Sequence, residues 1–367
     1  MNKRIRIIGA GALIALWGIL TLSAWFSPHK ELSVSERRPL QKMPELSLQT
    51  LQSGSFMDKF EDYTLDQFPL RDSFRTAKSL FAYNVLQQKD NNGIYIAQGY
   101  AAKLEYPLNP TSVSYALKRF DAIYTKYLAD SGSKVYMTVI PDKGYYLAQD
   151  NGYPAMDYAA MLQKITAGMP WAQYVDITGT LDIGDYYRTD THWRQEKLVD
   201  TANALCREMT LPEILDTDYT PTLATQQFYG VYYGQAALPM DPEELYILES
   251  PLLANCRVYN YETKTYQTIY DLQKLKGADP YEVYLSGSQA LLTIENPNAK
   301  TDRELIVFRD SFGSALAPLL AQNYRAVTLV DTRYIASDLL GQYLTFRGQD
   351  VLFAYSTLIL NNSISLK

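Results

Sequence analysis

The chain is 367 residues long, with 34 lysines and arginines against 40 aspartates and glutamates, a formal net charge of −6, and only 2 histidines and 2 cysteines. An acidic balance without a basic stripe excludes nucleic acid as the partner. So few histidines and cysteines argue against a metal centre, and nothing in the chain calls for a cofactor.

Ile7 to Ser27 is uncharged and follows Lys3, Arg4 and Arg6. That is long enough to span a bilayer core, and the basic flank keeps the short N-terminal side in the cytoplasm. It reads as an uncleaved anchor for an extracellular remainder. Small residues around Leu22-Ser23-Ala24 offer a cleaved, secreted form as the alternative. We therefore divide the chain into an anchor or signal segment (1–30), a wrapping segment with a hairpin (31–105) and an α/β domain (106–367).

Phe56 to Gln88 has helical spacing broken at Pro69, and Gly93 to Leu104 is a hairpin turning at Gln98-Gly99. Thr111 to Ala129 is helical, Lys134 to Ile140 is a strand ending at Pro141, Asp157 to Ala167 is helical, and Tyr174 to Ile177 is a short strand. Asp190-Thr191-His192-Trp193 follows. His29 lies beside the apolar segment, so any histidine acid/base chemistry falls to His192. In an extended segment Asp190 and His192 would share a face, placing a carboxylate where it orients an imidazole. Gln195 to Met209 is the next helix and contains Cys206, which reads as a buried thiol; a disulfide with Cys256 stays open as an alternative. From about 212 to 298 the pattern shifts to short Tyr- and Thr-rich strands, a β-rich insertion.

Leu305 to Phe308 is a strand that stops at Asp310-Ser311, and apolar positions then recur at Phe312, Ala315, Leu316, Leu319 and Leu320. Ser311 thus falls on a strand-to-helix turn, where a hydroxyl and backbone N–H groups are offered together; Pro318 is expected to kink the helix. An Asp-Ser before a helix is also a common N-cap. Strands at Ala326 to Val330 and Val351 to Tyr355 complete a mainly parallel sheet with helices on both faces. Around this core, Lys143 either binds an anionic or acyl ligand or sits in a solvated loop. Arg309 and Arg188 either contact an acidic sugar or phosphate or pair with acids. Trp193 either stacks on a sugar or wedges His192 in place.

Tyr186-Tyr187-Arg188-Thr189-Asp190-Thr191-His192-Trp193 with Arg309-Asp310-Ser311-Phe312-Gly313 resembles the signature pair of the DHHW family and of alginate O-acetyltransferase-like, SGNH-hydrolase-like proteins. Glu36-Arg37-Arg38-Pro39-Leu40, Asp66-Gln67-Phe68-Pro69-Leu70-Arg71, Asn92-Gly93-Ile94-Tyr95, Ile140-Pro141-Asp142-Lys143, Phe228-Tyr229-Gly230 and Asp350-Val351-Leu352-Phe353-Ala354-Tyr355 extend the likeness in the same order. Thr191 departs from the family's histidine, and Ser286-Gly287-Ser288 stands where relatives carry Gly-Gly-Asn. The resemblance implies an SGNH-hydrolase-like α/β fold with Ser311 as nucleophile, His192 as base and Asp190 as orienting carboxylate. Gly287, Ser288, Lys143, Arg309, Arg188, Tyr187 and Trp193 are oxyanion or substrate-binding candidates. It implies acetyl transfer to an extracellular glycan, with a multispanning membrane acyltransferase as donor. Esterase and non-catalytic glycan-binding readings stand as alternatives.

Overall fold

The computed structural model describes residues 3–367, in two compact units. The first comprises residues up to Asn91 together with Gly234–Pro239. Its first helix, α1 (Lys3–Phe26), has 24 residues, about 36 Å at 1.5 Å per residue, and is long and apolar enough to cross a membrane. Helices α2 (Ser55–Asp66) and α3 (Arg71–Asn84) follow, separated where Leu70 takes a left-handed φ of 57° just after Pro69.

The Glu36-Arg37-Arg38 and Asp66 to Arg71 strings meet in this unit. Arg38 donates to both oxygens of the buried Asp66, at 2.8 and 2.5 Å, and the Gln41 N–H adds a third bond at 2.8 Å. Those donors hold the Asp66 carboxyl below the usual carboxylate range. Arg71 and Arg75 reach Glu36 at 2.6 and 3.2 Å. The 234–239 segment is bound within the same unit: Arg75 donates to the Gly234 carbonyl, and Ser79 and Asn91 to that of Ala236. A Cβ on Gly234 would stand 1.5 Å from the Ser35 carbonyl oxygen, so only glycine fits.

The second unit spans Asn92–Tyr233 and Met240–Lys367. It opens with the hairpin β1 (Ile94–Ala97) and β2 (Tyr100–Lys103), turning through Gln98 and Gly99 at φ 51° and 82°, the positive angles that match a two-residue hairpin to strand twist. Its centre is an eight-stranded sheet. The parallel part contains β3 (Lys134–Ile140), β4 (Gln173–Tyr174), β10 (Glu304–Arg309), β11 (Ala326–Val330) and β12 (Asp350–Ser356), ordered β11-β10-β12-β3-β4. The strands β7 (Arg257–Asn260), β8 (Thr265–Gln267) and β9 (Leu291–Glu295) extend it beyond β11 in antiparallel fashion. About half of the expected insertion is therefore an arm of the central sheet, and only β5 (Thr220–Phe228) and β6 (Glu243–Glu249) pair apart from it.

Alternation sends the side chains to two cores. Val135, Met137, Val139, Ile306, Phe308, Val351 and Phe353 pack with Val113, Phe120, Met161 and Ile165 of α4 (Pro110–Ile123) and α5 (Tyr158–Gly168). Leu305, Val307, Leu352 and Ala354 pack on the other face with Ala202, Leu205, Leu316 and Leu320 of α6 (Val199–Glu208) and α7 (Gly313–Leu320). Near-continuous apolar strands follow from burial on both faces.

Several local expectations change. The strand expected over Tyr174 to Ile177 is instead β4, Gln173–Tyr174, which shares only Tyr174 with it, and Gln195–Lys197 is a 3-10 turn preceding α6. Pro318 lies inside α7 without ending it; the helix reaches Leu320 before tightening at Ala321–Asn323. Cys206 and Cys256 are free, buried thiols, and burial pushes both up to about 11.

Candidate active site

β10 delivers Asp310 and Ser311 to the carboxyl edge of the sheet, where parallel α/β sheets gather their ligands. Asp310 is buried and fixes the turn: one oxygen accepts from the Phe312 N–H at 3.1 Å, the other from the Ser356 N–H at the end of β12 at 2.8 Å. The Asp310 carbonyl accepts from Gly313, and the Ser311 carbonyl from Ser314. Of the four amides from 311 to 314, that of Ser311 alone donates to no group among the described residues. It lies beside its own hydroxyl, the position from which an N–H can serve an oxyanion.

His192 arrives on the 186–193 loop. This segment is a chain of bends closed by a Tyr186–Trp193 bridge and by the Tyr187 N–H donating to the His192 carbonyl at 3.0 Å, not the extended run expected from spacing. Asp190 and His192 meet through an Asx-type turn instead. One oxygen of the fully buried Asp190 accepts from the His192 backbone N–H at 3.0 Å and lies 2.5 Å from its Nδ1. The second oxygen accepts from the Val231 N–H at 2.8 Å. An ionised carboxylate only accepts, so Nδ1 carries the proton and Nε2 is left as acceptor. Nε2 lies 2.7 Å from Ser311 Oγ, which donates to it. Hydroxyl, imidazole and carboxylate are thus in one hydrogen-bonded line.

Aromatic packing and buried polar bonds hold that line. The Tyr281 ring stacks on His192 at 3.9 Å and 7°, and Phe312 lies 4.9 Å from it. Trp193 is fully buried and donates from Nε1 to the Phe312 carbonyl at 3.1 Å, tying the histidine loop to the serine turn. This is the wedge, not the sugar platform. Gln195 adds a second tie, donating to the Ala315 carbonyl at 3.0 Å while accepting from Leu248 N–H and Tyr270 OH.

The other sequence candidates are placed as follows. Lys143 is buried, not solvated; Nζ donates to the Tyr187 carbonyl at 2.9 Å and the Arg188 carbonyl at 3.2 Å, with the Tyr232 ring centre 5.0 Å away. Burial pushes this ammonium down to about 7, against the opposing fields of Asp190, Glu243 and Asp142. Arg309 is fully buried, 3.6 Å from the Asp331 carboxylate, and burial lowers its pKa. It is a structural ion-pair partner. Arg188 is partly exposed and 3.6 Å from Glu243. Tyr187 is buried edge-on to Phe228 at 4.8 Å. The Gly287 N–H is used by the Tyr284 carbonyl, and exposed Ser288 lines a cleft containing none of the three aligned residues.

Glu243 and Gly230 escaped the sequence reading. Buried Glu243 accepts from the backbone N–H groups of Arg188 and Thr189 at 2.6 and 2.7 Å and from Thr189 Oγ1 at 2.6 Å, clamping the loop that carries Asp190. It occupies the inward register of β6 with Leu245 and Ile247, and an acid at a core position is the signal that marks it. Gly230, inside a string noted only for its resemblance, lies on Asp190: a Cβ there would stand 2.2 Å from the Asp190 Cα.

The family model of DHHW proteins matches residues 180–330, which include all three aligned side chains. Among solved structures, a DHHW family protein from Eubacterium siraeum is 22% identical over 75% of this chain and 95% of its own, with a TM-score of 0.61. PatB1 of Bacillus cereus with a sulfonyl adduct is 18% identical over 73% and 95%, at 0.57, and PatB1 alone is 19% identical over 73% and 96%, at 0.56. No curated protein matches the chain. The chain resembles DHHW proteins in sequence and shares their fold.

Proposed function

We propose that this protein is an extracytoplasmic, SGNH-hydrolase-like acyltransferase that moves acetyl groups onto hydroxyls of an exopolysaccharide or cell-wall glycan through an acetyl-Ser311 intermediate. The observation that carries the reading is the unbroken line from Ser311 Oγ through His192 to Asp190, at 2.7 and 2.5 Å. The line supports nucleophilic catalysis in general; the acetyl group and the glycan come from the DHHW resemblance.

Ser311 Oγ attacks the acyl carbonyl as His192 Nε2 takes its proton and Asp190 stabilises the imidazolium. The oxyanion is met by the Ser311 N–H. Collapse returns the proton from His192 to the leaving oxygen. His192 then deprotonates an acceptor hydroxyl, which attacks the acetyl-serine and frees Ser311. Water in place of the sugar gives an esterase, so the residues serve both outcomes. Helix α1 would hold the enzyme at the membrane, beside a multispanning acyltransferase that supplies the acetyl group.

Sulfonyl electrophiles label activated nucleophiles, and PatB1 has been solved with a sulfonyl adduct. The test is labelling by a sulfonyl fluoride, together with hydrolysis of a chromogenic acetyl ester. Ser311→Ala should abolish labelling, and Ser311→Ala or His192→Ala should lower kcat by roughly 10³-fold or more with the fold intact. Equal turnover by folded Ser311→Ala protein would overturn the proposal. Acetylation of added oligosaccharide, in competition with water, separates transferase from esterase.

A further inference from the structure

The cleft that takes up Ser288 points to a subsite for the acceptor. It has a volume of about 490 Å³ and is walled by Tyr261, Tyr334 and Tyr343, with Ser288 and Glu262 at its rim. Tyr334 and Tyr343 are 50% and 48% exposed, which leaves ring surface open to the cleft. Tyr261 meets Tyr343 edge-on at 6.2 Å, so the walls present ring faces at a right angle.

Its floor shares a row of the sheet with the strand that carries Ser311, although Leu291 packs on the α4–α5 face and Phe312 on the other. Leu291, on the cleft floor, pairs with Val330, and Val330 pairs with Phe308 in the neighbouring parallel strand. The three form one row, which puts Leu291 about 10 Å from Phe308 at the usual strand spacing. Ser311 lies three residues beyond Phe308, at the same edge. Arg309 also donates to the Gln289 carbonyl at 3.5 Å, joining the Ser288 segment to the strand that carries the nucleophile.

The charges select among sugars. Glu262 is the cleft's one charged lining residue. Arg333 stacks over Tyr334 at 5.4 Å, but its fork is already spent on the buried Asp331, at 2.8 and 2.6 Å. Arg309 is held by the same aspartate. Both guanidiniums are thus drawn towards Asp331, and Glu262 would repel a carboxylate in the cleft.

We infer that this cleft is an acceptor subsite that stacks neutral pyranose rings on Tyr334 and Tyr343 and disfavours uronic acids. The inference rests on the glycan-acceptor reading above and narrows its substrate class. Binding is measured without turnover, on the full chain carrying Ser311→Ala, by calorimetry with the pentamers of N-acetylglucosamine and of galacturonic acid. The neutral pentamer should bind at least tenfold tighter than the uronate. Tyr334→Ala and Tyr343→Ala should each weaken it roughly three- to tenfold, with Phe at either position restoring it. Glu262→Gln should narrow the difference between the two sugars. Absence of binding by the neutral pentamer, equal binding by the Ala variants, or a preference for the uronate would each overturn the inference. Labelling and ester hydrolysis judge the acyl-transfer proposal separately, so the two can fail independently.

Discussion

At the scale of single residues, the site is defined by what each atom of His192 touches. Nδ1 is committed to Asp190 and Nε2 to Ser311, and one ring face is covered by Tyr281 at 3.9 Å. An imidazole that must become an imidazolium gains from such a face, because the ring quadrupole attracts the developing cation by about 0.5–2 kcal/mol. Tyr281→Leu should therefore lower kcat for ester hydrolysis by roughly 3- to 30-fold, while Tyr281→Phe, which keeps the π face, should stay within about threefold of the parent. Equal losses in both variants would assign the effect to the hydroxyl instead. The same scale corrects the basic candidates. Lys143 and Arg309 looked available in the sequence because a lone cation after a strand carries no sign of its burial; both are enclosed, one by the carbonyls of 187 and 188, the other by Asp331.

The histidine loop is the element on which the proposed chemistry depends, and much of its support comes from outside it. Residues 186–193 are positioned by Glu243 from β6, Lys143 from the turn after β3, and the close approach of Gly230. Glu243→Ala would strand three donors, two of them buried; we expect a loss of about 3–5 kcal/mol in urea unfolding together with most of the activity. Glu243→Gln, which keeps one acceptor, should fall between. Gly230→Ala tests the same loop from the other side, since its methyl must displace the buried Asp190 backbone: hydrolysis should drop by at least tenfold, and the melting temperature should fall with it. Normal activity in Gly230→Ala would show that the Asp190 backbone can move without consequence. The Asp190–His192 partnership was legible because the two residues are only two apart in sequence. Strand alternation is not what joins them, because side-chain-to-backbone bonding overrides the extended form. The clamp was not legible, since Glu243 and Gly230 are 53 and 40 residues from Asp190 and a single sequence does not show which distant segments meet.

Over the whole molecule, what could be read were the long periodic elements: β3, β10, β11 and β12, with helices on both faces, follow from apolar runs of fixed length. The antiparallel arm was missed as part of the sheet because β7 and β8 are short and tyrosine-rich, and strand patterning says nothing about which sheet a strand joins. Placing a lysine in the interior between these elements has a consequence for the stability of the entire fold. Lys143 is held down to about 7 by burial, whereas in the unfolded chain it titrates at roughly 10.4. Between those values the unfolded state binds the additional proton, so the native state gains stability as pH rises from about 7 towards 10; below about 7 both forms are charged and the native state bears the full cost of the buried ammonium. Lys143→Met removes the titration along with the two bonds to the loop. Melting temperatures of parent and variant, measured from pH 6 to 10, should therefore diverge: the difference moves in favour of the parent with increasing pH, and most steeply above 7. A difference that stays constant across that range would mean that Lys143 keeps its ordinary affinity for protons inside the protein, and that its role is confined to the carbonyls it binds.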